Sequence, residues 1–170
     1  QQKVAASLRE HVAQNARKNV LKSHVMKMWP VEAKDEGGTL LFSDSPESVT
    51  EDGILYQHTV QGAARILYYH LNSSDSDKKV AVVLQSADGQ SAIVRVTRGG
   101  ACYPSPDYLH VGKMTQMAYF EGEAHGDIYI GRGCHRLLQE NMDTTILHPG
   151  DLVYGVYDFA SNRPIKVSVI

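Results

Sequence analysis

From Thr39 to Ile170, short runs rich in Val, Ile, Leu and Tyr alternate with Gly, Pro, Asp, Asn and Ser. The runs are 39–44, 54–60, 64–72, 79–85, 91–97, 117–122, 127–131, 145–149, 151–159 and 164–170. Runs of this length cross one thin core and then turn back, so the pattern predicts an all-β domain, a jelly-roll-like β-sandwich, over residues 37–170. Strands should dominate residues 39–170, with no helix longer than about two turns there. Alternation places Leu67, Tyr69, Val80, Val82, Leu84, Val94, Val96, Val153 and Val167 on inward faces.

Several turns can be read from the same pattern. Gln61-Gly62 between two alternating runs reads as a tight hairpin, with Gly supplying positive φ. That register would set His58 opposite Arg65, Tyr56 opposite Leu67 and Ile54 opposite Tyr69. Residues 73–79 form a hydrophilic loop, and Ala87-Asp88-Gly89-Gln90 links two strands. His148-Pro149-Gly150-Asp151 fits a type II turn, with Pro at its second and Gly at its third position. Ser161-Asn162-Arg163-Pro164 would close a last hairpin.

Residues 1–36 differ from the rest and are read as a basic arm and linker. Residues 3–22 are good helix formers with Val4, Leu8, Val12 and Ala16 at four-residue spacing, a narrow apolar stripe. His24, Met26 and Met28 then alternate with Val25, Lys27 and Trp29, as in an extended segment. The arm is thus partly helical or extended. Residues 1–34 carry seven Lys/Arg against Glu10 and Glu32, a net of +5. The remaining residues carry ten Lys/Arg against seventeen Asp/Glu, a net of −7. A basic arm on an acidic body docks on that body or attracts an external polyanion.

The 170-residue chain suits one well-packed core, and its 42% hydrophobic and 21% charged residues are ordinary for a globular domain. No apolar run approaches the ~20 residues of a membrane-spanning helix. An N-terminal Gln fits a processed secreted chain and an arbitrary boundary equally.

Residues 37–72, Thr97-Arg98-Gly99-Gly100, 107–113 and 149–170 together resemble, in order, a group of uncharacterised Firmicutes cell-surface or secreted proteins labelled copper amine oxidase-like. The resemblance implies an extracellular or cell-envelope location. It does not imply the oxidase. That enzyme builds its quinone from a Tyr in Asn-Tyr-Asp/Glu and binds copper through three His, two of them in His-x-His. This chain has neither Asn-Tyr nor His-x-His, so neither amine oxidation nor a cofactor is expected.

Other chemistries lack their motifs. Eight His invite a metal reading, but ligands must converge, and His125, Cys134 and His148 would do so only if the fold gathered them. Pro149-Gly150-Asp151 also marks a turn in cupins, whose His-x-His is missing here. Gly-x-Ser-x-Gly is absent, and neither Cys lies in a protease context. Asp75 and Asp77 lack the Gly and terminal Glu of an EF-hand loop. Gly99-Gly100 and Gly131-Arg132-Gly133 precede no Lys-Ser/Thr, so no phosphate loop is present. The acidic body lacks an aromatic-basic stripe for nucleic acid.

What remains is aromatic and acidic. Nine Tyr against three Phe and one Trp suit a face that is half apolar and half polar. Tyr56, His58, Arg65, Tyr69, Tyr103 and Tyr108 form the candidate ligand-binding set. Asp44, Glu47, Glu51, Asp52, Asp151 and Asp158 could supply a carboxylate pair for glycoside hydrolysis. The sequence therefore reads as a non-catalytic binding or scaffolding module, with cell-wall polymer, glycan or another envelope protein as partner. A hydrolase of cell-wall polymer or glycan is the alternative. Cys102 and Cys134 are either a disulfide, as an even pair in a secreted chain allows, or two unrelated thiols.

Overall fold

The computed structural model describes residues 30–32, 34, 37–122 and 124–170. The chain divides into residues 1–35 and 36–170. The arm expected at 1–36 falls almost wholly outside the described residues. The second unit carries all the described strands and helices.

Strands dominate it, in one mixed eight-stranded sheet: β1 (Thr39–Ser43), β2 (Ser48–Val49), β3 (Tyr56–Asn72), β4 (Val82–Ser86), β5 (Ala92–Ala101), β6 (Gly126–Ile130), β7 (His135–Leu137) and β8 (Leu152–Val169). One α-helix, α1 (Tyr108–Glu121), and a 3₁₀ turn (Glu140–Asp143) interrupt the strands.

The long antiparallel pair β3–β8 organises the sheet, running from Tyr56 opposite Val169 to Leu71 opposite Leu152. Its register shifts in the middle: Val60 faces Ile165, but Gly62 faces Ser161. β8 therefore carries two more residues than β3 between those pairs. Ser161 Oγ holds the bulge together, donating to Arg163 O at 2.6 Å. At this point β8 also changes its other neighbour. Val82–Ser86 pair with its C-terminal half and Val94–Ala101 with its N-terminal half. Two arms result. Both supply one core, with Ile66, Val94 and Phe159 from one and Val82, Leu84 and Val167 from the other. A strand that bends through a bulge and serves two sheet arms is how such corners are made.

Two expected hairpins are therefore corrected. Gly62 does adopt positive φ, at 80°, but the chain stays extended, because each half of β3 pairs with β8 rather than with the other half. His58 faces Val167, and Arg65 faces Asp158. Ser161–Pro164 is likewise a bulge inside β8, not a turn. The His148–Asp151 turn does form, with Asp151 N donating to His148 O at 3.0 Å and Gly150 at φ 86°. The run at 145–149 yields only a bridge between Leu147 and Lys78.

The expectation of no long helix also fails. Residues 117–122 read as a strand because they form a short apolar run, yet they end a 14-residue helix. Asp107 caps it by accepting from His110 N at 3.0 Å, and Gly122 closes it in the left-handed region at φ 77°. Val111, Thr115 and Tyr119, spaced by four, form its buried face. They meet Leu152, Tyr154 and Val156, with Leu67 and Tyr69 at the margin. The helix crosses β5 so closely that a Cβ on Gly100 would lie 2.8 Å from Thr115 O. Leu67 and Tyr69 thus face the helix side, half-buried, while Ile66 and Tyr68 fill the main core. The other inward assignments hold, with Val80 only partly buried.

Candidate functional site

Asn72 builds the most developed concavity. It ends the apolar run of β3 and is almost fully buried. Its Nδ2 donates to Ser76 O and Leu147 O, both at 2.9 Å, and its Oδ1 accepts from Ser74 N at 3.1 Å and Ser74 Oγ at 2.7 Å. With its amide fully used, the polar loop 73–77 is folded back on the chain. The following residues are held at two points. Lys78 and Leu147 exchange backbone hydrogen bonds of 2.9 Å, and Ala81 and Ile170 exchange bonds of 2.9 and 3.0 Å. Between this segment, residues 49–55, the end of β3, Val83, β7 and the 3₁₀ turn lies a cavity of about 680 Å³. That is within the range of small-ligand sites.

The lining is aliphatic: Val49, Leu55, Leu71, Val80, Val83, Leu137, Met142, Leu147 and Ile170, with no Phe, Tyr or Trp among the described residues. Charge enters through Glu51, Asp52, Lys78, Lys79 and Asp143, and His135 adds an imidazole from β7. Lys78 Nζ lies 2.7 Å from Asp52 Oδ1, and Lys79 Nζ lies 3.6 Å from Asp143 Oδ1. These lysines are therefore already paired.

His70 also borders the cavity and is 1% exposed. Its Nδ1 lies 2.9 Å from Pro46 O, which can only accept, so Nδ1 carries the proton. Nε2 then accepts from Ser43 Oγ at 2.8 Å. Burial lowers its pKa, outweighing the Pro46 carbonyl and Asp44, which favour protonation. The Ser-His geometry resembles a nucleophile and its base. Yet Ser43 is 2% exposed and does not line the cavity. The pair joins β1 to β3 and satisfies two buried polar groups.

The six residues read from the sequence do not come together as one set. Tyr56 packs on the main core, and His58 is exposed on β3. Arg65 and Tyr69 lie on the helix side. Arg65 binds Asp158 through both carboxylate oxygens, at 2.6 and 3.0 Å, and donates to Tyr119 Oη at 2.5 Å. Burial would raise Asp158, but Arg65 and Tyr119 outweigh it and hold the carboxyl low. The guanidinium groups of Arg65 and Arg98 both stand over the Tyr119 ring, at 5.3 and 5.4 Å. This is a self-satisfied network. Tyr69 meets Tyr154 edge-on, Tyr108 starts α1 with its hydroxyl 3.4 Å from Gly150 O, and Tyr103 is 80% exposed.

Cys102 and Cys134 are free thiols, which corrects the disulfide candidate. Cys102 follows Ala101 at one end of β5. Cys134 lies beyond Ile130, which pairs with Ala92 at the other end. Ten residues of strand span roughly 30 Å, far beyond a bridgeable Cα separation of about 7 Å. Among the described residues, no three His, Cys, Asp or Glu side chains converge as a metal site. His125 instead sits against Tyr157, 5.7 Å between rings, and His148 Nδ1 contacts Asp77 at 2.7 Å. No helix among them is long and apolar enough to cross a membrane. Comparison with known protein families, curated proteins and solved structures finds no match to this chain.

Proposed function

We propose that residues 36–170 are a non-catalytic binding module whose ligand enters the cavity beneath residues 78–81. The carrying observation is the cavity itself: about 680 Å³, aliphatic within and charged at the rim. As architecture we propose a jelly-roll-like sandwich, a reading supported by two sheet arms sharing one core. The resemblance to Firmicutes surface proteins supports an extracellular or envelope setting, with cell-wall polymer, glycan or another envelope protein offering the ligand. An aliphatic lining favours contact through an apolar part of such a partner over stacking on sugar rings. The hydrolase alternative has less support. A glycosidase needs one carboxyl with a raised pKa. Among the described residues, the carboxyls displaced from their ordinary range, Asp88, Asp127 and Asp158, all lie low, each beside an Arg.

The test is titration with N-phenyl-1-naphthylamine, an uncharged probe that fluoresces in apolar sites. A saturable single-site enhancement is expected, lost in Leu71→Gln or Val83→Glu and kept in Phe120→Gln, which alters an exposed helix residue. No enhancement, or equal enhancement in all variants, would refute the site.

A further inference from the structure

We infer that the cavity takes a single aliphatic chain carrying an uncharged or zwitterionic head group, a soluble amphiphile bound as a monomer. This rests on the cavity being the binding site and adds the class of its ligand. Two features select that class. The interior offers aliphatic side chains and, among the described residues, no Phe, Tyr or Trp, so it holds an apolar ligand by plain contact and matches methylene groups without needing ring stacking. The rim carries three carboxylates, Glu51, Asp52 and Asp143, against Lys78 and Lys79. Both lysines are engaged by aspartates. An anionic head would have to share a lysine with its aspartate and would lie in the field of the rim's three carboxylates. An uncharged head meets no such penalty. A zwitterion whose cation adjoins the chain presents it to the carboxylates while its anion stays in water. Among the described residues, the rim also lacks the cluster of unpaired Lys or Arg that draws a protein onto an anionic bilayer.

The experiment uses the full chain and three homologous series below their micelle concentrations: alkyl maltosides, alkyl sulfobetaines, whose ammonium adjoins the chain, and alkanoates, each with eight, ten and twelve carbons. Binding is read by displacement of N-phenyl-1-naphthylamine and by calorimetry. Each added methylene should tighten the first two series about fourfold. Alkanoates of equal length should bind at least tenfold more weakly. Lys78→Gln and Lys79→Gln, which uncover rim carboxylates, should widen that gap. Alkanoates binding as tightly as maltosides would overturn the head-group assignment. Affinity independent of chain length would overturn the aliphatic-chain assignment. If the naphthylamine probe binds but no amphiphile displaces it, the ligand class is wrong and the site stands. If neither binds, the site fails too. Sedimentation with phosphatidylcholine vesicles separates a bilayer lipid from a free amphiphile: the protein should stay in the supernatant, and pelleting would overturn the monomeric ligand.

Discussion

Gly155→Ala tests how tightly the β3–β8 pair is packed. Gly155 faces Tyr68 across the ladder. A Cβ built there would lie 2.6 Å from Tyr68 Cε1 and closer still to Cζ and Oη. Carbon atoms in contact prefer about 3.5–4.0 Å, so the ring would have to move by about 1 Å. It has little room to do so. Tyr68 is 3% exposed and stacks on Tyr157, with ring centres 6.5 Å apart and planes at 6°. Burial raises the pKa of both phenols, that of Tyr157 to about 12, so neither can leave as a phenolate at ordinary pH. Overpacking of this kind costs about 1–3 kcal/mol. The backbone entropy saved by replacing Gly in a strand returns roughly 0.5–1 kcal/mol. A net loss of about 1 kcal/mol is expected, with a fall in melting temperature of roughly 3–5 °C for a domain of this size. Urea unfolding followed by circular dichroism measures it, and a cycle with Tyr68→Leu assigns the cause. With the ring removed, Gly155→Ala should cost less than about 0.5 kcal/mol. A cost under about 0.5 kcal/mol in the wild type, or an undiminished cost in the Tyr68→Leu background, would refute the steric reasoning.

Other expectations rest on neighbouring contacts. Gly100→Ala should push α1 off β5, since the new methyl meets Thr115 O and the backbone of Tyr119; cleavage within residues 108–121 by limited proteolysis would speed up, and unchanged cleavage would contradict the close packing. His70 has a folded pKa below its ordinary 6.5, so the unfolded chain takes up a proton first. Stability should therefore fall as pH drops below about 6.5, a trend that His70→Gln flattens and that denaturation midpoints between about pH 7.5 and 5 would show. His148 works in the opposite sense: Asp77 raises its pKa from 6.5, so its contribution is present below that value and fades as pH rises through the folded one. Asp77→Asn should remove that component, leaving the acid loss due to His70 steeper. Thiol titration of the unreduced protein should count two free thiols, with the exposed Cys134 reacting before the half-buried Cys102.

The β character was legible because alternation of apolar and polar residues is a local property of a half-buried strand. Pairing was not. Gln61-Gly62 has the composition of a hairpin turn, and only the presence of β8, about a hundred residues later in the chain, decides that β3 runs straight through it. The helix had its own local signal, Asp107 before a run without Pro and Gly122 after it, but the short apolar run at 117–120 obscured it. The site was the least legible part. Tyr-rich positions attract attention as binding residues, yet here Tyr56, Tyr69 and Tyr108 pack on the core, another Tyr or the helix start, and Tyr103 stands exposed. The cavity is lined by ordinary Leu, Val and Ile from several separate segments, and nothing in their spacing marks them. Asn72 carried a hint, standing between an apolar run and a Ser-Asp loop where an Asn turn is favoured. What that turn encloses depends on the contacts of Leu147 and Ile170, which lie far along the chain.

The cavity is probed most directly by a methyl-labelled NMR titration with dodecyl maltoside below its micelle concentration. Saturable shifts are predicted at Leu71, Val83, Leu137 and Leu147, within the cavity. Shifts confined to methyls bordering Tyr69, Tyr103 and Tyr108, or none that saturate, would contradict a ligand site there.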